Sequence, residues 1–190
     1  GWRVLVMHDR GVSLEELRCR QGGRLAVSQV CAIAARFVRA LEKTHDAGIV
    51  HRDLKPENLF VMTDRRGNES VRILDFGIAA TLDSEEHNSA GTAGFMAPEQ
   101  LKGEVTPACD FYSLGVTIYR LLAGKPPFDG AGFFQIMAAQ TTEDYQSLQE
   151  VRPDVPIELS ELVDELLKAE PEERLKDPEE IERRLSEFLQ

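Results

Sequence analysis

Residues 51–58 read His-Arg-Asp-Leu-Lys-Pro-Glu-Asn, and residues 75–77 read Asp-Phe-Gly. Two short strand-like runs lie between these motifs, near 58–62 and 71–74, and the polar turn that separates them predicts a β-hairpin. The hairpin would bring three polar side chains to one edge: Asp53, Asn58 and Asp75.

The residue types at this edge suit the chemistry of metal-bound phosphates. An Asn carbonyl beside a carboxylate supplies hard oxygen ligands, and Mg²⁺ binds proteins through few such oxygens together with the phosphates of a substrate. Lys55 adds a positive charge where a transferring phosphoryl group needs one. The pattern therefore indicates a site for phosphoryl transfer.

The rest of the chain is predicted to be mainly helical. A short helix at 14–20 precedes a glycine turn, and a long helix runs from about Ser28, a favourable N-cap, to Gly48. The apolar residues of the long helix recur at the spacing of a buried stripe: Val30, Ile33, Ala34, Phe37 and Leu41.

Further helices are expected near 109–123, 131–140, 157–168 and 178–189. The last has the strongest start signal, because Asp177 is a favourable N-cap and Pro178 occupies the first helical position. Residues 78–98 show no periodicity, and a structureless loop of that length is usually functional.

Composition limits the possible functions. A net charge of −11 over 190 residues argues against a general nucleic-acid-binding role, which needs clustered Lys and Arg. Residues 158–190 hold 12 acidic and 5 basic residues; we expect solvated helix faces there, and a docking surface for basic partners is the alternative. No apolar run approaches the roughly 18 residues that span a bilayer, so no membrane contact is expected within the segment.

The three cysteines, Cys19, Cys31 and Cys109, have no paired spacing. Neither a disulfide framework nor a zinc site is therefore indicated, which favours a reducing compartment and predicts a cytoplasmic location. Cys31 and Cys109 fall inside predicted helices and are expected to be small core residues.

The two opening motifs, 22 residues apart from Asp53 to Asp75, closely resemble those of the protein kinase family. Residues 91–99, Gly-Thr-Ala-Gly-Phe-Met-Ala-Pro-Glu, look like the end of a kinase activation segment, with Phe95 where Tyr is more usual. Residues 96–100 and 151–156 look like bacterial members of the eukaryotic-like, or Hanks-type, serine/threonine branch.

The resemblance implies a protein-kinase-like fold, α+β in the family as a whole. Residues 1–190 would be a mainly α part of it, the large helical C-lobe with its β-hairpin, and the N-lobe would be missing except for its last strand and hinge at 1–10. Within the C-lobe, 51–58 would be the catalytic loop and 75–99 the activation segment.

The family's roles carry over to the matching residues as follows. Asp53 would accept the proton of the substrate hydroxyl, and Lys55 would neutralise the transferring phosphate. Asn58 and Asp75 would hold Mg²⁺, so ATP and Mg²⁺ are the implied cofactors and proteins with Ser or Thr acceptors the implied substrates.

Other matches imply structural roles. Asp110 resembles the buried Asp of the family's central helix that anchors the backbone of the catalytic loop. Arg174 stands where the family pairs an Arg with the Glu of Ala-Pro-Glu, here Glu99. His51 and Phe76 are expected to be packing residues of the family's internal spine.

The first residues resemble the end of the small lobe. A strand at 3–7 would run into the hinge, with Met7 behind the adenine and the backbone of 8–10, from His8 to Arg10, bonding its edge. The three remaining histidines have no metal-ligand spacing and are expected to be surface or locally hydrogen-bonded residues: His8, His45 and His87.

Specificity for Ser and Thr is implied by the sequence at 55–57 and by Thr92, which in the family helps to accept the substrate hydroxyl. Arg52 resembles the Arg of kinases whose activation loop is ordered by phosphorylation, since a phosphate pairs well with Arg. The candidate acceptors are Ser84 and Ser89, with Thr81 as a weaker one.

The family's glycine-rich loop, strand Lys and helix Glu precede the hinge and cannot be placed in these 190 residues. We therefore expect this polypeptide by itself to have little transferase activity and an N-lobe to lie upstream. Two alternatives to an active kinase stay open: a non-catalytic kinase-like module that binds proteins, and a small-molecule phosphotransferase of related fold.

Overall fold

The computed structural model describes residues 11–75, 93–129 and 132–189. A small antiparallel sheet lies against a larger set of helices, which confirms the mainly helical class with its hairpin. The strands are β1 Gly11–Ser13, β2 Leu59–Thr63 and β3 Glu69–Ile73. The helices are α1 Leu14–Arg20, α2 Val27–Asp46, a 3₁₀ helix Pro98–Lys102, α3 Pro107–Ala123, α4 Phe133–Thr141, α5 Leu148–Val151, α6 Ile157–Leu166 and α7 Pro178–Ser186.

The sheet has the order β1-β2-β3. The predicted hairpin is formed by β2 and β3, whose register runs from Leu59 opposite Ile73 to Thr63 opposite Glu69. The turn between them is closed by Asp64, whose Oδ1 accepts from the backbone N–H of residues 66 and 68. The strand β1 was not predicted, because three residues carry no recognisable periodicity.

Helix α2 begins at Val27, two residues earlier than an N-cap at Ser28 would place it. Its N-cap is Ala26, without a side-chain hydrogen bond, so the prediction of Ser28 as N-cap was wrong. The predicted stripe is buried throughout: Val30, Ile33, Ala34, Phe37 and Leu41. The helix ends at Asp46, and Gly48 follows with φ of +74°, a conformation that glycine adopts without steric cost.

Helix α3 forms the centre of the protein and packs against α2, α5 and α6. Fifteen of its 17 residues are buried, as is typical of a helix enclosed on all sides. Pro107 occupies its first turn, and Gly124 ends it in the left-handed conformation, with φ of +83°. At Gly115 the lack of a side chain allows α6 to approach closely, because a Cβ there would lie 2.8 Å from Cβ of Leu166.

Helix α7 starts as the sequence predicts. The carboxylate of Asp177 accepts from the backbone N–H groups of Glu179 and Glu180, at 3.0 and 3.4 Å. Its apolar face packs on α2, with Ile181 and Leu185 fully buried. None of the helices within the described residues is both long and apolar enough to cross a bilayer.

All three cysteines are free thiols. Cys31 and Cys109 are fully buried, on α2 and α3, as predicted for core residues, and Cys19 is exposed.

Candidate active site

The loop at 51–58 folds so that its polar side chains meet. Nδ2 of Asn58 donates to the backbone carbonyl of Asp53 at 2.9 Å and to its carboxylate oxygen Oδ2 at 3.0 Å. Nζ of Lys55 lies 3.1 Å from the same Oδ2. Asn58 is buried, whereas the side chains of Lys55 and Asp53 are 23% and 17% exposed. Both charged groups are therefore open to a substrate.

The hairpin returns the chain to this loop just before Asp75. The backbone N–H of Leu74 donates to the carbonyl of Asn58 at 2.9 Å, next to the Leu59–Ile73 pair that begins the β2–β3 ladder. Asp75 is exposed and has φ of +56°. Such a conformation costs of order 1–3 kcal/mol for a residue with a side chain, and residues held in it cluster at functional sites.

His51 connects the loop to the strand that precedes Asp75. Its imidazole is fully buried; Nδ1 lies 3.3 Å from the backbone N of Asp53, and Nε2 lies 2.9 Å from the carbonyl of Leu74. Because a backbone N–H can only donate and a carbonyl can only accept, Nδ1 is the acceptor and Nε2 the donor in these two contacts. The expected burial is observed, but these two hydrogen bonds were not foreseen.

Asp110 on α3 anchors the start of the 51–58 loop through hydrogen bonds to its backbone. Its carboxylate is fully buried and accepts the backbone N–H groups of His51 and Arg52, both at 2.9 Å. These bonds stabilise Arg52 in a conformation with φ of +74°. His45 adds a third bond, from Nε2 to Oδ2 at 2.8 Å. The anchoring role implied for Asp110 is thus observed, while the expectation that His45 is a surface or locally bonded residue was wrong.

Gln100 holds the other side of the same peptide. Its Nε2 donates to the carbonyl of Arg52 at 2.8 Å, and its Oε1 accepts from the backbone N–H of Ala97 at 3.3 Å. In the sequence, Gln100 is only part of the 96–100 stretch that resembles bacterial kinases. The structure makes it the link between the 51–58 loop and the 3₁₀ helix.

Glu99 and Arg174 form the ion pair that the resemblance implied. Nη1 and Nη2 of Arg174 lie 2.5 and 2.9 Å from the two carboxylate oxygens, and both residues are 3% exposed. Arg174 also donates to the carbonyls of Ala108, Lys168 and Ala169, so its guanidinium is well satisfied. Burial alone would raise the pKa of Glu99, but the hydrogen bonds and charge of Arg174 outweigh it and hold that pKa below its ordinary value.

Several predicted site residues lie outside the described part of the chain: Met7, His8, Arg10, Ser84, Ser89 and Thr92. The same holds for the strand at 3–7, for most of the 78–98 loop, and for Phe76, Thr81 and His87.

The oxygen donors at the 51–58 loop fit a hard cation such as Mg²⁺. The amide nitrogen of Asn58 is engaged by Asp53, and no hydrogen bond found among the described residues uses the oxygen of that amide. Asp75 adds an exposed carboxylate on the neighbouring strand end. Within 11–75, 93–129 and 132–189 there is no group of three or more His, Cys, Asp or Glu residues arranged for a metal ion. An amide oxygen and a carboxylate are ligands that suit a cation bound through few protein oxygens.

Comparison with known families gives the same answer as the geometry. A family model described as the protein kinase domain matches residues 4–184. The chain belongs to the protein kinase family. The polar centre on the 51–58 loop thus lies within the matched kinase domain, and the family resemblance noted in the sequence is confirmed.

Bacterial serine/threonine-protein kinases are among the relatives of this kinase domain. It is 37% identical over 160 residues to the serine/threonine-protein kinase Pkn1 of Myxococcus xanthus, covering 80% of this chain and 23% of Pkn1. It is 33% identical over 186 residues to the serine/threonine-protein kinase PknB of Mycolicibacterium smegmatis, covering 94% of this chain and 29% of PknB. A probable serine/threonine-protein kinase of Clostridium perfringens is 29% identical over 183 residues, 94% of this chain and 26% of the relative. The chain spans about a quarter of the length of the curated relatives it matches.

A network of charged residues connects α1 of the kinase domain to α3. Oε1 of Glu15 lies 2.6 Å from Arg18 and 3.0 Å from Arg120. The hydrogen bond from Arg18 is the main cause that lowers the pKa of Glu15 to about 2; partial burial opposes it, and Arg120 adds to it. The guanidinium of Arg120 also lies 5.8 Å from the ring centroid of Phe95. The Phe that stands where the family more often has Tyr therefore has a cationic partner.

Proposed function

We propose that this kinase domain transfers the γ-phosphoryl group of ATP to Ser and Thr hydroxyls of protein substrates in the intact protein. The observation that carries this proposal is the meeting of Lys55 and Asn58 at one oxygen of Asp53. A carboxylate fixed by a neutral amide and faced by a cation suits the transfer of a proton beside a charged phosphate.

Asp53 takes the role of general base. As the substrate oxygen bonds to the γ-phosphorus and the bond to the leaving ADP oxygen breaks, the hydroxyl proton passes to the carboxylate of Asp53. The two hydrogen bonds from Asn58 keep that carboxylate and its backbone carbonyl in a fixed orientation. Lys55 lies close enough to Asp53 to counter the negative charge of the group in transfer.

Asn58 and Asp75 are the proposed Mg²⁺ ligands, through the amide oxygen and the exposed carboxylate. When bound, Mg²⁺ neutralises charge on the phosphates of the nucleotide. The hydrogen bonds from Asn58 to Asp53 and from Leu74 to Asn58 support this assignment, because they fix the two ligand-bearing segments relative to each other.

The remaining functional assignments are part of the same proposal. Residues 1–190 would form the C-lobe of the domain together with the hinge at 1–10 and the activation segment at 75–99. The adenine would contact Met7, His8 and Arg10, and the substrate hydroxyl would contact Thr92. Regulatory phosphorylation would occur at one of the two candidate acceptors, Ser84 or Ser89. The free state of all three cysteines supports a cytoplasmic location.

We also propose that the 190-residue polypeptide alone has little transferase activity, because no segment of it matches the family's glycine-rich loop. Robust ATP-dependent phosphorylation of a test protein by the purified polypeptide would contradict this. The alternative function is a non-catalytic protein-binding module. It predicts that the full-length protein transfers no phosphate and binds its protein partner without Mg²⁺.

The Mg²⁺ dependence of phosphoryl transfer tests the proposal. In the full-length protein, Asn58→Ala should lower the rate at limiting Mg²⁺, and higher Mg²⁺ should recover part of the loss. The matched control is Asn68→Ala, since Asn68 lies in the exposed β2–β3 turn and its amide bonds to Asp64. Equal rates for the wild-type protein and Asn58→Ala at every Mg²⁺ concentration would contradict the assignment.

A further inference from the structure

The segment from Ala93 to Ala97 is buried although its residues 94–97 form neither a helix nor a strand. Ala93 and Ala97 are fully buried, and Phe95 and Met96 are 4% and 3% exposed. Buried backbone carbonyls need hydrogen-bond donors. The carbonyl of Phe95 accepts from the hydroxyl of Ser113 at 2.7 Å. The carbonyls of the neighbouring residues need other donors.

Three of those carbonyls lie within hydrogen-bond distance of one side chain on α4, and the carbonyl of Ala93 also accepts from the backbone N–H of Met96 at 3.2 Å. Nε2 of Gln140 lies 3.2 Å from the carbonyl oxygens of Ala93 and Gly94, and 3.0 Å from that of Met96. Gln140 is fully buried. The orientation of its amide follows from these partners, because the reverse orientation would place an oxygen against three carbonyl oxygens.

The amide nitrogen of Gln140 is hydrogen-bonded to this segment, whereas its amide oxygen is not. Its Oε1 is buried and has no hydrogen-bond partner among the described residues. A buried polar atom left unsatisfied lowers stability. A residue that merely filled space in the core would be apolar, so the amide is present for its donors.

We propose that Gln140 is a positioning residue that holds the substrate-accepting end of the activation segment. The inference rests on the proposed kinase function, in which this segment receives the protein substrate beside Asp53. Ala93 directly follows Thr92, the residue proposed to contact the substrate hydroxyl. Gln100, in the 3₁₀ helix that directly follows the segment, donates to the carbonyl of Arg52, next to Asp53. A shift of residues 93–96 would therefore displace a bound substrate peptide relative to Asp53.

The test compares two substitutions on α4 in the full-length protein. Gln140→Met keeps the length of the side chain but removes its donors. Thr141→Val is the matched control, because Thr141 is exposed and its hydroxyl bonds to the carbonyl of Met137 in its own helix. We expect Gln140→Met to lower kcat/KM for a peptide substrate about 10- to 100-fold, as small misplacements of substrate do, mainly through KM. The KM for ATP and the slow hydrolysis of ATP without peptide should stay at wild-type values in both variants.

Hydrogen exchange gives a second measurement that needs no activity. In Gln140→Met, amides of residues 93–100 should exchange faster than in the wild-type protein, while those of α3 should not change. If the wild-type protein transfers no phosphate at all, the proposed function fails, and the exchange rates still decide whether Gln140 holds the segment.

Three results would overturn the inference. The first is a folded Gln140→Met variant with wild-type KM for the peptide and wild-type exchange at 93–100. The second is an equal fall in peptide turnover, ATP affinity and ATP hydrolysis, which would indicate a general loss of structure. The third is that neither Gln140→Met nor the milder Gln140→Asn folds, since Gln140 would then be a residue of the fold.

Discussion

Arg174 reaches 75 residues back along the chain to place two of its nitrogens on the two carboxylate oxygens of Glu99, in the interior of the protein. This pair connects the 3₁₀ helix Pro98–Lys102 to the loop before α7. Because both charged groups are buried, each would be an unpaired buried charge without the other.

Removing one member of the pair should be strongly destabilising. Arg174→Leu leaves the carboxylate of Glu99 buried without a counter-charge, which typically costs about 3–5 kcal/mol of unfolding free energy. Chemical denaturation at neutral pH measures the loss. The double variant with Glu99→Leu should recover part of it, and a loss below about 1 kcal/mol for Arg174→Leu would contradict the burial of an unpaired charge.

The pH dependence of that destabilisation should follow from the pKa of Glu99. In the wild-type protein this pKa is lowered, so the pair contributes stability above the unfolded-state pKa and loses it as the pH falls through the folded-state pKa. In Arg174→Leu, burial is the largest remaining influence on the pKa of Glu99 and outweighs the weaker hydrogen bonds from the backbone and Cys109. The pKa should therefore be raised, and acid should favour the folded variant. The difference in unfolding free energy between the two proteins should therefore shrink from pH 7 towards pH 3. A difference that stays constant or grows would contradict this.

A methyl group at Gly115 should disturb the packing of α3 on α6. A Cβ there would lie 2.8 Å from Cβ of Leu166, closer than carbon atoms pack, so a backbone must move. Overpacking of this kind costs about 1–3 kcal/mol, which thermal or chemical denaturation of Gly115→Ala would detect. The control is Gly132→Ala, where no atom lies within 4 Å of the added carbon. Equal stability of the two variants would show that α6 shifts freely.

One thiol in three should react with an alkylating reagent in the native protein. Burial raises the pKa of Cys31 to about 12 and that of Cys109 to about 12. At pH 8 only about 10⁻⁴ of each is the reactive thiolate, and both are shielded. Mass spectrometry after brief alkylation should find Cys19 modified, and Cys19→Ser should remove the fast reaction. Rapid modification of Cys31 or Cys109 in folded protein would contradict the packing of α2 and α3.

The sequence predicts the features that depend on local patterns. The apolar stripe of α2 and the N-cap of α7 at Asp177 each follow from residues within a few positions of one another, and the structure confirms both. The motif at 51–58 identifies the centre of the site, because its residue types and spacing are unusual together.

Features that depend on distant partners could not be predicted in this way. The strand β1 is three residues long and is defined by its pairing with residues 60–62. His45, Gln100 and Gln140 act through Asp110 or through backbone carbonyls far along the chain. A carbonyl has no sequence signature, and a polar residue on a helix is ordinarily taken as a surface residue, so nothing local distinguishes these three.

The rate of phosphoryl transfer in a single turnover tests the central claim most directly. In the full-length protein with saturating ATP and Mg²⁺, Asp53→Asn should lower the rate about 10²- to 10⁴-fold while leaving nucleotide affinity unchanged, because it removes the base but keeps its shape. The control is Asp46→Asn, the same change at the exposed end of α2. A rate for Asp53→Asn equal to that of the control would contradict the assignment of Asp53 as the base.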